Sequence, residues 1–144
     1  MVPVRSRQLH ELRRRVLRGG DPHSVVLDDR DEEATSLHFG GVVDERLVAC
    51  ASFYFVPSPV HPELRAHQLR FMAVDADVQG RGYGARVLAV AEAALRAREA
   101  GEVWANARDS ALGFYRAVGW RLVAGSEHLS HETNLPHTVI YKPL

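Results

Sequence analysis

The chain has 144 residues, of which 46% are hydrophobic and 25% charged, values typical of one globular domain. Its 18 basic side chains are balanced by 18 acidic ones. Proteins that bind nucleic acid or an anionic membrane through charge need an excess of positive charge, so this balance argues against both classes. No segment reaches the ~20 apolar residues of a membrane span. The single cysteine, Cys50, cannot form an internal disulfide, so we expect a cytoplasmic protein.

The N-terminal third is predicted to form a helix followed by a β-hairpin. Apolar Leu9, Leu12 and Val16 recur at helical spacing, which predicts an amphipathic helix over residues 5–17 with the three arginines at 13–15 on its solvated face. The elements expected next are a short edge strand at 25–27, β-rich runs at 35–43 and 46–56 that form an antiparallel hairpin, and a proline-rich loop at 56–67.

The central region is predicted to alternate strands and helices. A strand over residues 67–74 runs into a loop with three glycines and then into an amphipathic helix over residues 84–99, which Gly101 is expected to end. The remaining predicted elements are a strand at 102–107, a helix at 111–118 that Asp109 or Ser110 caps and Gly119 closes, and strands at 120–124 and 137–142. Cys50 lies in a strand pattern, so we expect a buried structural thiol. This order predicts one α/β domain with a mixed sheet over residues 1–144.

A strand that leads into a glycine-rich turn at the start of a helix is an arrangement that holds phosphate. The first N–H groups of a helix have no partner within it, the helix dipole favours negative charge there, and glycine lets an anion approach the backbone. Residues 79–84 are therefore a candidate diphosphate site, to which Arg81 adds a positive charge. The alternative is that the glycines only provide the left-handed backbone angles of a turn. Their G-x-G-x-G spacing fits neither a Walker loop nor the Rossmann fingerprint.

Two motifs in this region resemble a known family. The stretch Gln79-Gly80-Arg81-Gly82-Tyr83-Gly84 resembles the Q/R-x-x-G-x-G/A signature of the GNAT superfamily of acyl-CoA-dependent N-acyltransferases. The preceding MAVDADV resembles the family's fourth strand, and FYRAVGW resembles its later helix–turn of the form F-Y-x-x-x-G-F/W. The resemblance covers residues 67–122. It implies a single-domain GNAT-like α/β fold in which helices flank a mixed, mostly antiparallel central sheet.

The resemblance also implies acetyl-CoA as cosubstrate, an amine of a small molecule or peptide as acceptor, and no metal. In the family the fourth strand pairs with the pantetheine arm of CoA, which enters a gap between the fourth and fifth strands, and the glycine loop binds the pyrophosphate. Carried over residue by residue, the cofactor-binding positions are Met72, Ala73, Val74, Gln79, Gly80, Arg81, Gly82, Tyr83, Gly84, Asn106 and Phe114. Exposed edge strands in such a sheet also leave room for a homodimer.

Tyr115 matches the tyrosine that commonly serves the family as general acid for the departing thiolate of CoA. The alternative is that it only packs in the core, because it shares an apolar helix face with Phe114. One position departs from the family. Many members have Asn seven residues before this tyrosine, where this chain has Arg108, and its role stays open.

The acceptor side is less defined. His38, Arg70 and His137 are the residues expected near the acceptor, and the candidate proton acceptors are His38, His137 and Glu132. The stretch HLSHE at 128–132 reads as a polar loop, because it lacks the H-E-x-x-H order of a zinc site. A GNAT-like module that senses acyl-CoA without turnover is the alternative to an enzyme.

Overall fold

The computed structural model describes residues 2–17 and 26–144. In chain order the helices and strands are β1 (Val2–Pro3), α1 (His10–Leu17), β2 (Leu37–Val43), β3 (Arg46–Tyr54), β4 (Ala66–Val74), α2 (Tyr83–Ala97), β5 (Glu102–Arg108), α3 (Leu112–Ala117), β6 (Arg121–Leu122), β7 (His128–Leu129) and β8 (Pro136–Pro143). The strands form one sheet in the order β1-β2-β3-β4-β5-β8-β6, and β7 pairs with the start of β8. The β4–β5 pair is parallel and the others are antiparallel. The predicted α/β fold with a mixed, mostly antiparallel sheet is confirmed.

The sheet is covered on both faces. Because side chains alternate along a strand, Ala49, Ala51 and Phe53 of β3 join the main core, whereas Cys50 packs on the opposite face. α2 covers the first face and α1 the second. The apolar helical side chains buried there are Val87, Leu88, Ala91 and Leu95 of α2 and Leu12 of α1. None of the described helices has the length and apolarity that crossing a membrane requires.

The predicted hairpin is confirmed by the pairing of β2 with β3. Val43 and Arg46 form its last pair, so the turn consists of Asp44 and Glu45 alone. Both turn residues have positive φ angles, of 49° and 63°. Positive φ at both central residues is the geometry that matches the twist of a two-residue hairpin.

Two predicted helix boundaries are wrong. Glu99, with φ of 64°, occupies the left-handed position after α2, and its N–H donates to the Arg96 carbonyl at 2.9 Å. Gly101 lies beyond that turn and donates to the Arg65 carbonyl. A 3₁₀ turn at Asp109–Ala111 precedes α3 and has no side-chain cap, because the Asp109 carboxylate accepts a hydrogen bond from Thr138 instead.

The short strands also differ from the prediction. Of the edge strand expected at 25–27, residue 25 lies outside the described residues and Val26 and Leu27 form no strand. Instead β1 occupies the edge beside β2. Within the segment predicted as a polar loop, His128 and Leu129 form β7, which pairs with β8. A two-residue strand forms only because a longer strand pairs with it, so its own residues give little basis for predicting it.

The prediction that the arginines at 13–15 form a solvated face is wrong for Arg13, whose side chain is fully buried. Its guanidinium donates to the Val26 carbonyl at 2.8 Å, to Ser52 Oγ at 2.7 Å and to Asp31 Oδ2 at 3.1 Å. Asp31 neutralises the charge and the three partners bind both terminal nitrogens, which makes a buried cation tolerable. The Nε–H has no hydrogen-bond partner among the described residues.

Candidate functional site

The two central strands diverge beyond residue 68. β4 and β5 pair over three positions, from Ala66–Glu102 to Gln68–Trp104, and their pairing ends there. A cavity of about 390 Å³ lies where they separate, lined by residues of β4, β5, β8 and α3. The gap predicted between these strands is therefore present, and its volume falls in the range of small-molecule sites.

A bulge in β4 shapes one side of this cavity. Between two regular pairs with β3, β4 contributes two residues, Phe71 and Met72, where β3 contributes one. Phe71 has a left-handed backbone with φ of 55°, which is unusual for a bulky residue. The Cys50 thiol donates to the Phe71 carbonyl at 3.3 Å, and burial raises the pKa of Cys50 to about 12. Cys50 is thus a structural thiol, as predicted, and the bulge takes the Phe71–Met72 backbone out of the ladder beside the cavity.

The glycine loop lies at the start of α2. Gly80 and Gly82 have φ angles of 79° and 83°, and a Cβ added to Gly80 would meet nothing within 4 Å. Gly82 is the helix N-cap and offers no side-chain acceptor. The Arg86 N–H bonds to the Gly82 carbonyl, so the N–H groups of residues 83–85 precede the helical ladder. Left-handed angles and an open approach to unpaired N–H groups occur together, so the turn and the anion-binding arrangement coexist in one loop.

Gly84 brings this loop into contact with the cavity. An added Cβ would lie 3.2 Å from Met72 Cε, 3.2 Å from Phe114 Cζ and 3.3 Å from Val74 Cγ2. Each separation is tighter than ordinary van der Waals contact, so glycine permits α2 to approach β4 and α3 here. Met72 also lines the cavity. The loop and the cavity are therefore adjacent parts of one surface.

The other loop residues have different surroundings. Gln79 donates from its side chain to the Val74 carbonyl at 3.0 Å, which fixes the start of the loop. Arg81 is exposed, and Tyr83 is half-buried beneath the guanidinium of Arg86, 5.1 Å from its ring centroid. The exposed guanidinium groups of Arg81 in the loop and Arg86 in α2 thus accompany the N–H groups of the first helical turn, and all of them favour an anion.

Tyr115 lies on α3 and lines the cavity although it is only 6% exposed. Its ring packs against Phe114 and Trp120, with centroid distances of 5.1 and 5.3 Å. Burial raises the pKa of Tyr115, so the phenol stays protonated far above neutral pH. Its side chain makes no hydrogen bond within the described ranges, which leaves the hydroxyl available to a ligand. Tyr115 is therefore both a core residue and a potential proton donor to the cavity.

A row of polar side chains crosses three strands on the far side of the cavity. Arg108 of β5 and His128 of β7 both pair directly with His137 of β8, so the three side chains share one sheet face, and all three line the cavity. His137 Nδ1 lies 2.8 Å from the Leu135 carbonyl. Because a carbonyl only accepts, the neutral ring carries its proton on Nδ1 and presents a basic Nε2.

Arg70 also lines the cavity, but carboxylates surround it. Asp28 accepts from Arg70 Nη1 at 2.6 Å and from Arg30 Nη2 at 2.7 Å, and Glu132 pairs with Arg70 Nη2. The hydrogen bond from Arg30 is the main cause that holds the pKa of Asp28 well below its usual range. The four groups alternate in charge, so their charges cancel.

The structure does not bring His38 to the cavity. Its ring is 8% exposed and lies between Ser52 Oγ, 2.7 Å from Nδ1, and the Asp31 carbonyl, 2.8 Å from Nε2. Asp31 also accepts from Arg13 and Tyr54. His38 therefore belongs to a buried polar network beneath α1.

Of the remaining predicted cofactor-binding positions, some line the cavity and others do not. Asn106 lines it, whereas Ala73 is buried against α1 and offers only its backbone. Six further cavity residues were not predicted from the sequence: Leu17, Arg30, His128, Ser130, His131 and Thr133. The HLSHE stretch contains three of them, but their position depends on the pairing of β7 with β8, which the sequence does not reveal. Among the described residues no group of three His, Cys, Asp or Glu side chains is arranged to hold a metal ion.

Sequence comparisons give consistent matches. The model of the acetyltransferase (GNAT) family matches residues 6–120. The uncharacterized N-acetyltransferase YitI of Bacillus subtilis (strain 168) is 30% identical over 142 residues, which cover 94% of this chain and 89% of YitI.

Solved structures share the fold over nearly the whole chain. Escherichia coli ElaA superposes with a TM-score of 0.70 at 19% identity, covering 96% of this chain and 87% of ElaA. An aminoglycoside 6'-N-acetyltransferase complexed with coenzyme A superposes with a TM-score of 0.71 at 13% identity, covering 99% of this chain and 97% of that protein.

Proposed function

Because the chain belongs to the acetyltransferase (GNAT) family, we propose that it transfers an acetyl group from acetyl-CoA to the amine of a small molecule bound in the cavity between β4 and β5. Family membership makes the chain an acyltransferase; the donor and the roles below are our proposal. The observation that carries it is the adjacency of the two halves of the site. Gly84 at the end of the glycine loop approaches Met72, and Met72 lines the cavity with Tyr115.

In this proposal the glycine loop binds the pyrophosphate of the donor. The N–H groups of residues 83–85 provide donors and the positive end of the α2 dipole, and Arg81 adds a full charge. The absence of a Cβ at Gly80 and Gly82 allows phosphate oxygens to reach the backbone. The pantetheine arm then follows β4 past Val74 and Met72 into the cavity. Backbone of the bulged strand and Asn106 across the gap offer it hydrogen-bonding groups.

The reaction forms an amide C–N bond and breaks the thioester C–S bond, so one proton must leave the amine and one must reach the departing sulfur. Tyr115 is the donor in our proposal. Its hydroxyl has no hydrogen-bond partner in the described part of the chain, and burial raises its pKa, so the proton to be donated is present at neutral pH.

His137 is the group we propose to accept the proton from the amine. It lines the cavity, and its Nδ1–H is held by the Leu135 carbonyl, which orients the ring and leaves Nε2 as the base. The other two candidates are less suited. Glu132 already pairs with Arg70, and His38 lies in the buried network. Alignment of the two substrates supplies a further part of the rate.

Thermal unfolding tests the cofactor assignment. Acetyl-CoA at a hundred times its dissociation constant stabilises the fold by about 2.7 kcal/mol, which should raise the midpoint by roughly 5–10 °C in a domain of this size. NAD and ATP are the controls, because both carry diphosphate groups. A shift with NAD or ATP alone, or no shift with acetyl-CoA, would overturn the proposal.

A thiol-release assay then separates an enzyme from an acyl-CoA sensor. Acetyl-CoA is incubated with the protein and a panel of small primary amines, and free CoA is measured. Amine-dependent release supports the acetyltransferase. Binding of acetyl-CoA without release for any amine would identify a sensor.

A further inference from the structure

Arg108 differs from the other arginines of the cavity in having no carboxylate partner among the described residues. Its guanidinium donates from Nη2 to the Leu17 carbonyl at the end of α1, at 3.0 Å. A guanidinium has five N–H donors, so four remain. Arg30 and Arg70, by contrast, share Asp28, and Arg70 also pairs with Glu132. Arg108 is therefore the unneutralised arginine of the cavity wall, within the part of the chain that the structure describes.

The position of Arg108 relates this charge to the proposed chemistry. Arg108 pairs directly with His137 across β5 and β8, and its side chain lies on the same sheet face. Asn106, two residues earlier on β5, lines the same cavity, as does Tyr115. An anion held by Arg108 would therefore lie next to the proposed proton acceptor, and not at the glycine loop.

We propose that Arg108 binds a carboxylate of the acceptor, and that the acceptor is a small amino acid-type molecule with amine and carboxylate a few bonds apart. This inference rests on the proposed acetyl transfer. The planar guanidinium matches a carboxylate with two parallel hydrogen bonds. A cavity of about 390 Å³ is at the small end of ligand sites, which suits such a molecule better than a folded protein. With its carboxylate on Arg108, the acceptor presents its amine to His137.

The competing explanation is that Arg108 only holds the end of α1. A cation at a helix C-terminus is favourable there, and the Leu17 hydrogen bond already shows this contact. That role predicts no discrimination between an acceptor with a carboxylate and one without. The ratio of activities on matched acceptors therefore distinguishes binding of the acceptor from support of the helix.

The test compares free amino acids with their α-carboxamides, such as alanine with alaninamide and phenylalanine with phenylalaninamide. The kcat/KM of each is measured by thiol release with acetyl-CoA. Wild type is expected to prefer the acid by about 30-fold, the effect of hydrogen bonds to a charged group. Arg108→Gln should reduce this ratio to about one, and Arg108→Lys should retain part of it, because lysine keeps the charge but loses the fork.

A matched variant controls for net charge. Arg121 is exposed on β6 and does not line the cavity, so Arg121→Gln should keep the wild-type ratio. Unfolding midpoints with and without acetyl-CoA check that each variant folds and binds the donor. A wild-type enzyme that prefers the carboxamides or shows no preference, or a preference that survives in Arg108→Gln, would overturn the inference while leaving the acetyltransferase proposal intact.

Failure of the proposed function would be seen separately. If no amine is acetylated, calorimetry on the CoA-bound protein compares N-acetylalanine with N-acetylalaninamide. Tighter binding of the acid that is lost in Arg108→Gln would still support the carboxylate site. Equal binding of the two, or binding of neither, would overturn it.

Discussion

The two ends of the cleft offer a ligand different parts of the chain. At the glycine loop the available groups are backbone N–H groups in the first turn of α2, with open space over Gly80. At the other end they are side chains: the guanidinium of Arg108, the imidazole of His137 and the phenol of Tyr115. One end depends on where side chains are missing, and the other on which side chains are present.

The two ends also differ in what supports them. The glycine loop needs only a strand, a turn and a helix that follow one another in the chain. The β3–β4 side of the proposed acceptor end packs on a buried polar network. Its members Arg13 of α1, Asp31 and Ser52 of β3 come from three separate segments. The Arg13 guanidinium also lies 4.2 Å from the ring centroid of Phe71, the bulge residue that lines the cavity. Changes in this network should therefore affect the whole fold, whereas changes in the loop should affect one binding step.

Asp31→Asn is expected to have the largest effect, on stability. The variant keeps the side-chain shape but removes the charge that neutralises the fully buried Arg13 at 3.1 Å. A buried charge left without its partner costs about 3–5 kcal/mol, a large share of the roughly 5–15 kcal/mol that stabilises a domain. Denaturant unfolding measures the free energy of unfolding directly.

Asp77→Asn is the matched control, because its ion pair with Arg46 is more than half exposed on both sides. Its loss should cost far less stability than the loss of the Asp31 charge, because solvent screens an exposed pair.

Acid provides a second check on Asp31. Burial raises the pKa of Asp31, but hydrogen bonds from Arg13 and Tyr54 outweigh it and lower the pKa. The ionised form therefore contributes stability that is present above the ordinary carboxyl pKa of about 3.9 and is lost as pH falls through the lower folded value. A constant gap between wild type and Asp31→Asn down to the lowest pH would contradict this.

Arg13 shows why this network was missed in the sequence. Three consecutive arginines follow Leu12, and a charged side chain is normally assigned to solvent although Arg13, four residues after Leu9, borders the apolar stripe of the helix. Its burial is possible because of Asp31 and Ser52, 18 and 39 residues away in the chain. The same holds for His128, whose place beside His137 depends on a two-residue strand.

The glycine loop and the order of the main elements were predictable because their determinants are local. Unpaired N–H groups follow from the start of a helix, and the left-handed angles of Gly80 and Gly82 follow from the residue type. The exact helix end was not, because Glu99 adopts a left-handed angle that sequence assigns to glycine. Local signals thus predicted the backbone geometry of the glycine loop better than the side-chain arrangement at the other end of the cleft.

The next largest effect is expected for Tyr115→Phe. Loss of the proposed proton donor should lower kcat by about 100-fold, the lower range for general acid catalysis, while the dissociation constant of acetyl-CoA stays unchanged. Stability should also stay near that of wild type, because the Tyr115 hydroxyl makes no hydrogen bond in the described part of the chain. A thiol-release assay measures kcat, and calorimetry measures the dissociation constant of acetyl-CoA. Unchanged kcat would mean that Tyr115 serves packing alone.

His137→Gln tests the proposed proton acceptor in the same thiol-release assay. The variant should be slowest near neutral pH, where most amines carry a proton that must be removed. Its deficit should shrink as pH rises towards the pKa of the amine, because a neutral amine attacks the thioester without first giving up a proton. Tyr115→Phe should show no such recovery. A deficit that is constant with pH would assign His137 a structural role.

The smallest effect is expected at the loop, where Gly82→Ala tests the backbone end. Alanine at φ of 83° costs about 1 kcal/mol of strain, and its Cβ also stands in the proposed path of the pyrophosphate. Gly125 has a nearly equal φ of 78° and equally open surroundings, but it lies between β6 and β7 and does not line the cavity. Gly125→Ala should therefore lower stability by a similar amount.

Only Gly82→Ala should weaken acetyl-CoA, by about tenfold, which corresponds to about 1.4 kcal/mol. Comparing the two variants separates the two roles of glycine. Both variants strain the backbone, but only Gly82→Ala places a Cβ where the ligand would approach. Equal acetyl-CoA affinity in both would mean that the loop glycines serve the turn alone. Binding would then depend on side chains such as Arg81, and the contrast between a backbone end and a side-chain end of the cleft would disappear.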